Sequence, residues 1–248
     1  MDRRNSSRRV GLARALSKLG YCSRYAAFGL TQAGRVSLNG EVCRNPETPV
    51  HIDRDRIAVD GRDVAASAKI YWALNKPRGV VTTASDERAR ETVYAYLDAS
   101  LPWVAPVGRL DKASEGLLLL TNDSAWAARV LAPETHLAKT YHVQIGAVAN
   151  EAVLAVLTKG VRTSDGAFLR ASSARILRGG EKNTWLEVVL DEGRNRHIRR
   201  MLAQLGIEVL RLVRVAIGPL VLGKLPKGGS RALTDAEKQA LDRTMQQV

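Results

Sequence analysis

The sequence predicts an α+β protein in two parts. A small basic domain of two helices and short hairpins precedes a larger domain, a mostly antiparallel sheet carrying helices. Three observations carry that expectation. Positive charge is concentrated at the front, where residues 1–69 hold +6 of the net +13 that 248 residues carry. Near Lys69 the pattern changes from short helical periods and tight turns to longer runs that alternate with period two. In the second part, strand-like runs outnumber helical ones and lie at hairpin-like spacing, which favours antiparallel pairing over a βαβ arrangement.

A chain of 248 residues can bury a sizeable core without a disulfide or metal staple. With 45% hydrophobic and 25% charged residues the composition is that of a globular protein. A pI near 10.2 points to a polyanionic partner, nucleic acid before membrane. Apolar runs such as Gly116-Leu117-Leu118-Leu119-Leu120 are far shorter than the roughly 20 residues of a membrane span. Residues 1–9 are basic, lack the apolar stretch of a secretory leader, and read as a short disordered arm. Cys22 and Cys43 have no metal-ligand spacing and His51, His136, His142 and His197 are scattered, so no structural zinc and a reducing cytoplasm are expected. The cysteines read as small buried hydrophobes.

In residues 10–18, Leu12, Ala15 and Leu16, with Leu19 just beyond, give one helical face, and Gly20 is the stop. Ser23 caps a second helix that runs to about Ala33, with Gly34 after it. Alternating residues flank Asn39-Gly40, a strong hairpin signal because a type I′ turn needs positive φ twice. Ile57-Ala58-Val59 before Asp60-Gly61 repeats the logic. This domain is expected over residues 10–66, with Arg14, Lys18, Arg24 and Arg35 as a phosphate-facing surface.

The second domain is expected over residues 69–248. Residues 70–74 read as a strand ended by the basic turn Asn75-Lys76-Pro77-Arg78-Gly79. Residues 80–83 are another β-prone run, and residues 92–97 a short helix. The leucines at 117–120 fit a strand buried on both faces, with Thr121-Asn122-Asp123 as its exit turn. Residues 139–145 and 184–190 alternate as strands do, and residues 196–205 form a basic helix stopped at Gly206.

Cofactor signatures fail. No two glycines lie two residues apart, which removes a G-x-G-x-x-G loop. Gly218-Pro219-Leu220-Val221-Leu222-Gly223-Lys224-Leu225 nearly spells a phosphate loop, but Leu225 replaces the hydroxyl that would hold Mg²⁺, so it reads as a turn plus strand. No cofactor or metal is expected. What remains is polar: Asp111 in a Gly-Arg-Leu-Asp turn before an apolar strand, Tyr141 in an alternating strand, and four arginines with one histidine within residues 194–200. Alone, each has an ordinary reading as turn aspartate, sheet filler and solvated basic face.

Two resemblances change that weighting. Leu16-Ser17-Lys18-Leu19-Gly20-Tyr21-Cys22-Ser23-Arg24 with Ala33-Gly34-Arg35-Val36-Ser37-Leu38-Asn39-Gly40 resembles the S4 RNA-binding domain. Tyr25 stands where that family has a second arginine, which removes a phosphate contact or replaces it by stacking on a base. Gly108-Arg109-Leu110-Asp111 with Gly116-Leu117-Leu118-Leu119-Leu120-Thr121-Asn122-Asp123 resembles the signature of pseudouridine synthases, in the RsuA-type branch (the RsuA, RluB, RluE and RluF group). Lys139-Thr140-Tyr141, the 192–201 run and Arg214-Val215-Ala216-Ile217-Gly218-Pro219 match its other motifs in order. Ala113, Ser114 and Ala138 are mild departures.

The resemblance implies isomerisation of uridine to pseudouridine in ribosomal RNA, free or in an assembly intermediate, by a cytoplasmic monomer without membrane contact. It makes Asp111 the essential catalytic residue, as nucleophile on the sugar or as base toward a ribose proton. It implies that Arg199 pairs with Asp111, Tyr141 stacks on the uracil and handles the C5 proton, Arg109 helps flip the target, and Leu110 lines the pocket. Lys76, Arg78, Arg194, Arg196 and Arg200 are assigned to the RNA backbone. Two other classes stand beside it: an RNA-binding or ribosome-assembly protein with a decayed catalytic domain, and an S4-bearing methyltransferase, which needs the missing glycine loop.

Overall fold

A computed structural model describes residues 9–84, 86 and 88–246. Of the expected arm only Arg9 is described, donating to His51 at 2.9 Å; residues 1–8 lie outside the described residues. The described residues divide into two compact units, the first comprising residues 9–71 with 98–105 and 120–124, the second the other described residues.

The first unit runs β1 (Val10–Gly11), α1 (Leu12–Lys18), α2 (Arg24–Gln32), β2 (Val36–Leu38), β3 (Glu41–Val42), β4 (Pro49–Val50), β5 (Ile57–Val59) and β6 (Arg62–Asp63). Leu12, Ala15 and Leu16 are fully buried, and pack with Ala27, Val36, Val50 and Ile57 into one apolar core. The Ser23 side chain accepts from Ala26 N at 3.0 Å, the cap its sequence position implied. Asn39 and Gly40 take φ values of +54° and +93°, turning β2 into β3. Cys22 and Cys43 are free and pack against this core, half-buried where small buried hydrophobes were expected. Residues 121 and 122 belong here because Asn122 binds the backbone on both sides of Lys69, accepting from Ile70 N at 2.9 Å and donating to Ala68 O at 2.8 Å.

The second unit holds β7 (Tyr71–Lys76), β8 (Ala105–Val107), β9 (Glu115–Thr121), α3 (Ser124–Leu131), β10 (Lys139–Ile145), α4 (Glu151–Lys159), β11 (Val161–Arg162), β12 (Phe168–Leu169), β13 (Ser173–Gly179), β14 (Thr184–Leu190), α5 (His197–Ala203), β15 (Val209–Ile217), β16 (Leu220–Val221), β17 (Ser230–Ala232) and α6 (Asp235–Thr244). Its sheet has the order β13-β14-β10-β15-β9-β7-β17, with β16 against β15 and β8 against β9. Neighbours of β10 are antiparallel on both sides, whereas β15 and β9 pair in parallel. The fold is α+β with a mixed, mostly antiparallel sheet.

All seven residues of β9 are buried, as the leucine run implied, and β10 and β14 alternate buried with partly exposed residues. Three expectations change. Residues 80–83 make no strand beyond an isolated Val81–Thr92 bridge, residues 92–97 yield one 3₁₀ turn (Val93–Tyr96), and the basic helix starts only at His197. Arg196 before it has φ +51°, a left-handed conformation that ends the preceding turn.

Gly116 is where two strands meet most closely. Its φ is +101°, and a Cβ there would strike the Arg214 backbone, 2.8 Å from its nitrogen. Gly116→Ala should therefore push β9 from β15 and add backbone strain, costing roughly 2 kcal/mol or more. At about 2–4 °C per kcal/mol for a chain of this size, calorimetry should show Tm lowered by roughly 5 °C or more. An unchanged Tm contradicts the close approach.

Candidate active site

The Gly-Arg-Leu-Asp segment leaves β8 and turns into β9, so residues 108–114 sit at the lip of the sheet. Beside them opens a cavity of about 400 Å³, of the size that takes a small ligand. Its lining includes Arg109, Leu110, Asp111, Lys139, Tyr141 and Arg214. Leu110 is buried and Asp111 half-buried, while Arg109 is exposed. Tyr141 is 9% exposed, and the β10–β15 register slips between Thr140 and Tyr141, leaving Tyr141 opposite Arg214.

The Asp111 turn is held through its backbone. Lys76, fully buried at the end of β7, donates to Asp111 O at 3.1 Å, Ser114 O at 2.8 Å and Pro77 O at 3.0 Å. Gly79 N donates to Lys112 O at 2.7 Å, and Thr82 Oγ1 to Leu110 O at 2.8 Å. Arg199 donates to Ala113 O and Val209 O, each at 3.1 Å. Every carbonyl from 110 to 114 is thus anchored. Burial pushes the Lys76 ammonium down to about 8, against the pull of the Asp111 and Glu115 charges and helped by Arg214. Burial also lowers Arg199, while the Asp111 charge opposes that shift.

Two assignments are corrected. Lys76 has no solvent exposure and cannot grip an RNA phosphate; its three carbonyl partners occupy it beneath the turn. Arg199 forms no ion pair with Asp111 in this structure, its guanidinium being committed to two backbone carbonyls. Arg200 is half-buried and tied to Asp165 at 2.6 Å and to Thr163 at 2.9 Å. Arg78, Arg194 and Arg196 remain exposed, the last two lining the cavity, and Arg194 also pairs with Glu192 at 3.0 Å. In the first unit Arg14, Lys18 and Arg24 are exposed, and Arg35 is exposed but paired with Asp60 at 2.9 Å.

Sequence reasoning missed Lys139 and Arg214 as cavity residues. Each carried a signal. Lys139 lies two residues before Tyr141 on an alternating strand, hence on the same face, and Arg214 shares the inward phase of Leu212 and Ala216. Burial and the neighbouring Arg214 lower the Lys139 ammonium, partly offset by Asp191.

The family model for RNA pseudouridylate synthase matches residues 70–204, a stretch that contains the Asp111 turn, Tyr141 and the arginine run. The chain belongs to the RNA pseudouridylate synthase family. The S4 domain model matches residues 10–62. The chain is 38% identical over 229 residues to an uncharacterised RNA pseudouridine synthase of Aquifex aeolicus, covering 92% of each. It is 33% identical over 231 residues to ribosomal large subunit pseudouridine synthase B of Bacillus subtilis, covering 93% of this chain and 94% of that one. A crystal structure of a pseudouridylate synthase superposes with TM-score 0.65 at 28% identity, over 94% of this chain and 99% of that one. As a pseudouridine synthase the protein is an isomerase of RNA uridine.

Lys76→Met tests whether the buried ammonium positions the turn. Turnover should fall on the order of tenfold to a hundredfold, while RNA affinity and its salt dependence stay as in the wild type. A phosphate-gripping Lys76 would instead lower the log–log salt slope by roughly 0.7–0.9. The pH dependence follows from the depressed value near 8. Wild-type turnover should fall as pH rises through about 8 and the clamp loses its charge. Over the same window, up to about 10.5, the unfolded chain holds the proton more tightly than the folded one, so this group's contribution to stability rises.

Proposed function

We propose that this protein converts a uridine of ribosomal RNA to pseudouridine, with Asp111 as the essential catalytic carboxylate. The observation that carries the reading is a half-buried aspartate on a fully anchored turn, in a nucleotide-sized cavity with Tyr141. The substrate assignment rests on the ribosomal large subunit enzyme of Bacillus subtilis among its relatives. The target is free RNA or an assembly intermediate, and the protein acts as a cytoplasmic monomer without membrane contact.

The reaction breaks the C1′–N1 bond, turns the uracil in place, joins C5 to C1′, and moves the C5 proton away while N1 regains one. No atom is gained or lost. Asp111 attacks C1′ or removes a ribose proton, and either role needs an ionised carboxylate fixed against the sugar. Tyr141 forms the wall on which the uracil stacks and handles the C5 proton. Leu110 closes the pocket beside it. Exposed Arg109 helps draw the target from its stack, which must open because C1′ and the ring are both reached. Arg199 orients Asp111 indirectly, through Ala113 O. Arg78, Arg194 and Arg196 follow the phosphates near the cavity, and Arg14, Lys18, Arg24 and Arg35 those on the S4 surface.

Asp111→Asn keeps shape and turn propensity but removes the charge. Tritium release from 5-³H-uridine ribosomal RNA should vanish, while filter binding holds within about twofold and Tm shifts by only a few degrees, because Arg199 keeps its hydrogen bonds to Val209 O and Ala113 O and loses only the attraction of the Asp111 charge. Wild-type turnover in the variant would leave Asp111 as a turn residue of an RNA-binding protein. Replacing Arg14, Lys18 and Arg24 together by Gln should lower the salt slope of binding by roughly 2–3. An unchanged slope removes the S4 surface from the RNA contact.

A further inference from the structure

Two cations of the catalytic cavity lack a carboxylate of their own. Arg214 is 6% exposed; its Nε donates to Leu117 O at 2.7 Å, and its buried Nη2 has no hydrogen-bond partner. Lys139, half-buried beside it, takes part in no ion pair among the described residues, and its ammonium is depressed by burial and by Arg214 more than Asp191 restores. Both flank Tyr141: Lys139 lies two residues before it on β10, and Arg214 is its cross-strand partner on β15. Two desolvated like charges placed together are unfavourable until an anion joins them.

Position selects the anion. Phosphates have the exposed Arg194 and Arg196 available at the same cavity, whereas Lys139 and Arg214 sit beside the tyrosine against which the base would lie. Breaking C1′–N1 leaves the bonding pair on the uracil, so the detached ring is an anion with its charge spread over N1 and the two carbonyl oxygens. That ring must then rotate before C5 reaches C1′. A lysine ammonium is a compact charge with rotatable donors, and holds an oxygen through such a turn better than a rigid fork does.

We propose that Lys139, with Arg214 behind it, binds the uracil anion between bond breaking and bond making. The role rests on the isomerase reading of the cavity. In chemical balance, the C1′–N1 pair departs with uracil, the ammonium neutralises it by ion pairing without transferring a proton, and the pair at C5 returns to C1′. The C5 proton is then lost and N1 is protonated. Lys139 makes the detached ring a better leaving group and keeps it from escaping.

The test compares ribosomal RNA transcribed with uridine against the same RNA transcribed with 5-fluorouridine. Fluorine withdraws electrons, so the fluorinated ring leaves more readily and needs the cation less. Single-turnover formation of the C1′–C5-linked nucleoside is scored by nuclease digestion and mass spectrometry, since a C-linked base is not shed on fragmentation. Lys139→Met should slow the uridine reaction on the order of a hundredfold and the fluorinated one on the order of tenfold, with RNA affinity within about twofold. Lys139→Arg, which keeps the charge on a rigid fork, should recover part of the uridine rate. A variant that folds incompletely slows both substrates alike, so the ratio isolates the chemistry. Equal slowing of the two RNAs overturns the proposal, as does a loss explained by weaker binding with a salt slope reduced by roughly 0.7–0.9, the mark of a phosphate contact. A wild-type protein that makes no C-linked product from any ribosomal RNA overturns the isomerase reading and this one together.

Discussion

The structure of the catalytic unit depends on one buried ammonium. Lys76 ends β7 with no solvent exposure and gives its three hydrogens to Pro77 O, Asp111 O and Ser114 O. A carbonyl cluster pointing inward without a donor would be costly, and an ammonium without acceptors costlier still. Each makes the other tolerable, and together they fix the turn on which Asp111 stands. The arrangement leaves the carboxylate itself unencumbered. A direct ion pair would have orientated Asp111 but also competed with the sugar for it. Anchoring the main chain instead, with Arg199 on Ala113 O and Gly79 on Lys112 O, holds the group while leaving its oxygens open to the cavity.

The same economy runs through the sheet. Gly116 lets β9 approach β15 closely in parallel register, and that register sets Arg214 opposite Gly116. Across β10 the slip at Tyr141 brings the tyrosine level with Arg214. A missing Cβ and a one-residue irregularity therefore place aspartate, tyrosine and two cations around one cavity. Positive charge is layered: Arg194 and Arg196 are exposed at the mouth of the cavity, whereas Lys139 is half-buried and Arg214 buried beside Tyr141. Exposed cations act by counterion release, whereas desolvated ones act on charge that forms during the reaction.

Much of this was legible in the residues. The leucines of β9 announce a strand buried on both faces, the phase of β10 and β14 assigns Tyr141 to the inner face, and Asn39-Gly40 specifies its turn. These are local signals, set by side-chain period and backbone φ. Asp111 was legible only through the motif around it, since a lone turn aspartate has many ordinary reasons to exist. Lys76 was misread for a physical reason. A lysine in a Pro-Gly turn has the local chemistry of a solvated cation, and the carbonyls that claim it lie up to 38 residues away. The partner of Arg200 is hidden from the local sequence in the same way, since Asp165 sits 35 residues upstream in the turn between β11 and β12. Burial of a charge is decided by tertiary partners, which periodicity does not encode.

The positioning of Asp111 therefore depends on the state of one side chain, which can be observed directly. Lysines carrying ¹⁵N at Nζ and ¹³C at Cε can be titrated by NMR in the folded protein, with Lys76→Met assigning the signal. A resonance that vanishes in this variant and titrates near 8 in the wild type is the predicted result. A Lys76 signal titrating near 10.5, like that of a solvated lysine, would contradict the buried clamp and the positioning of Asp111 built on it.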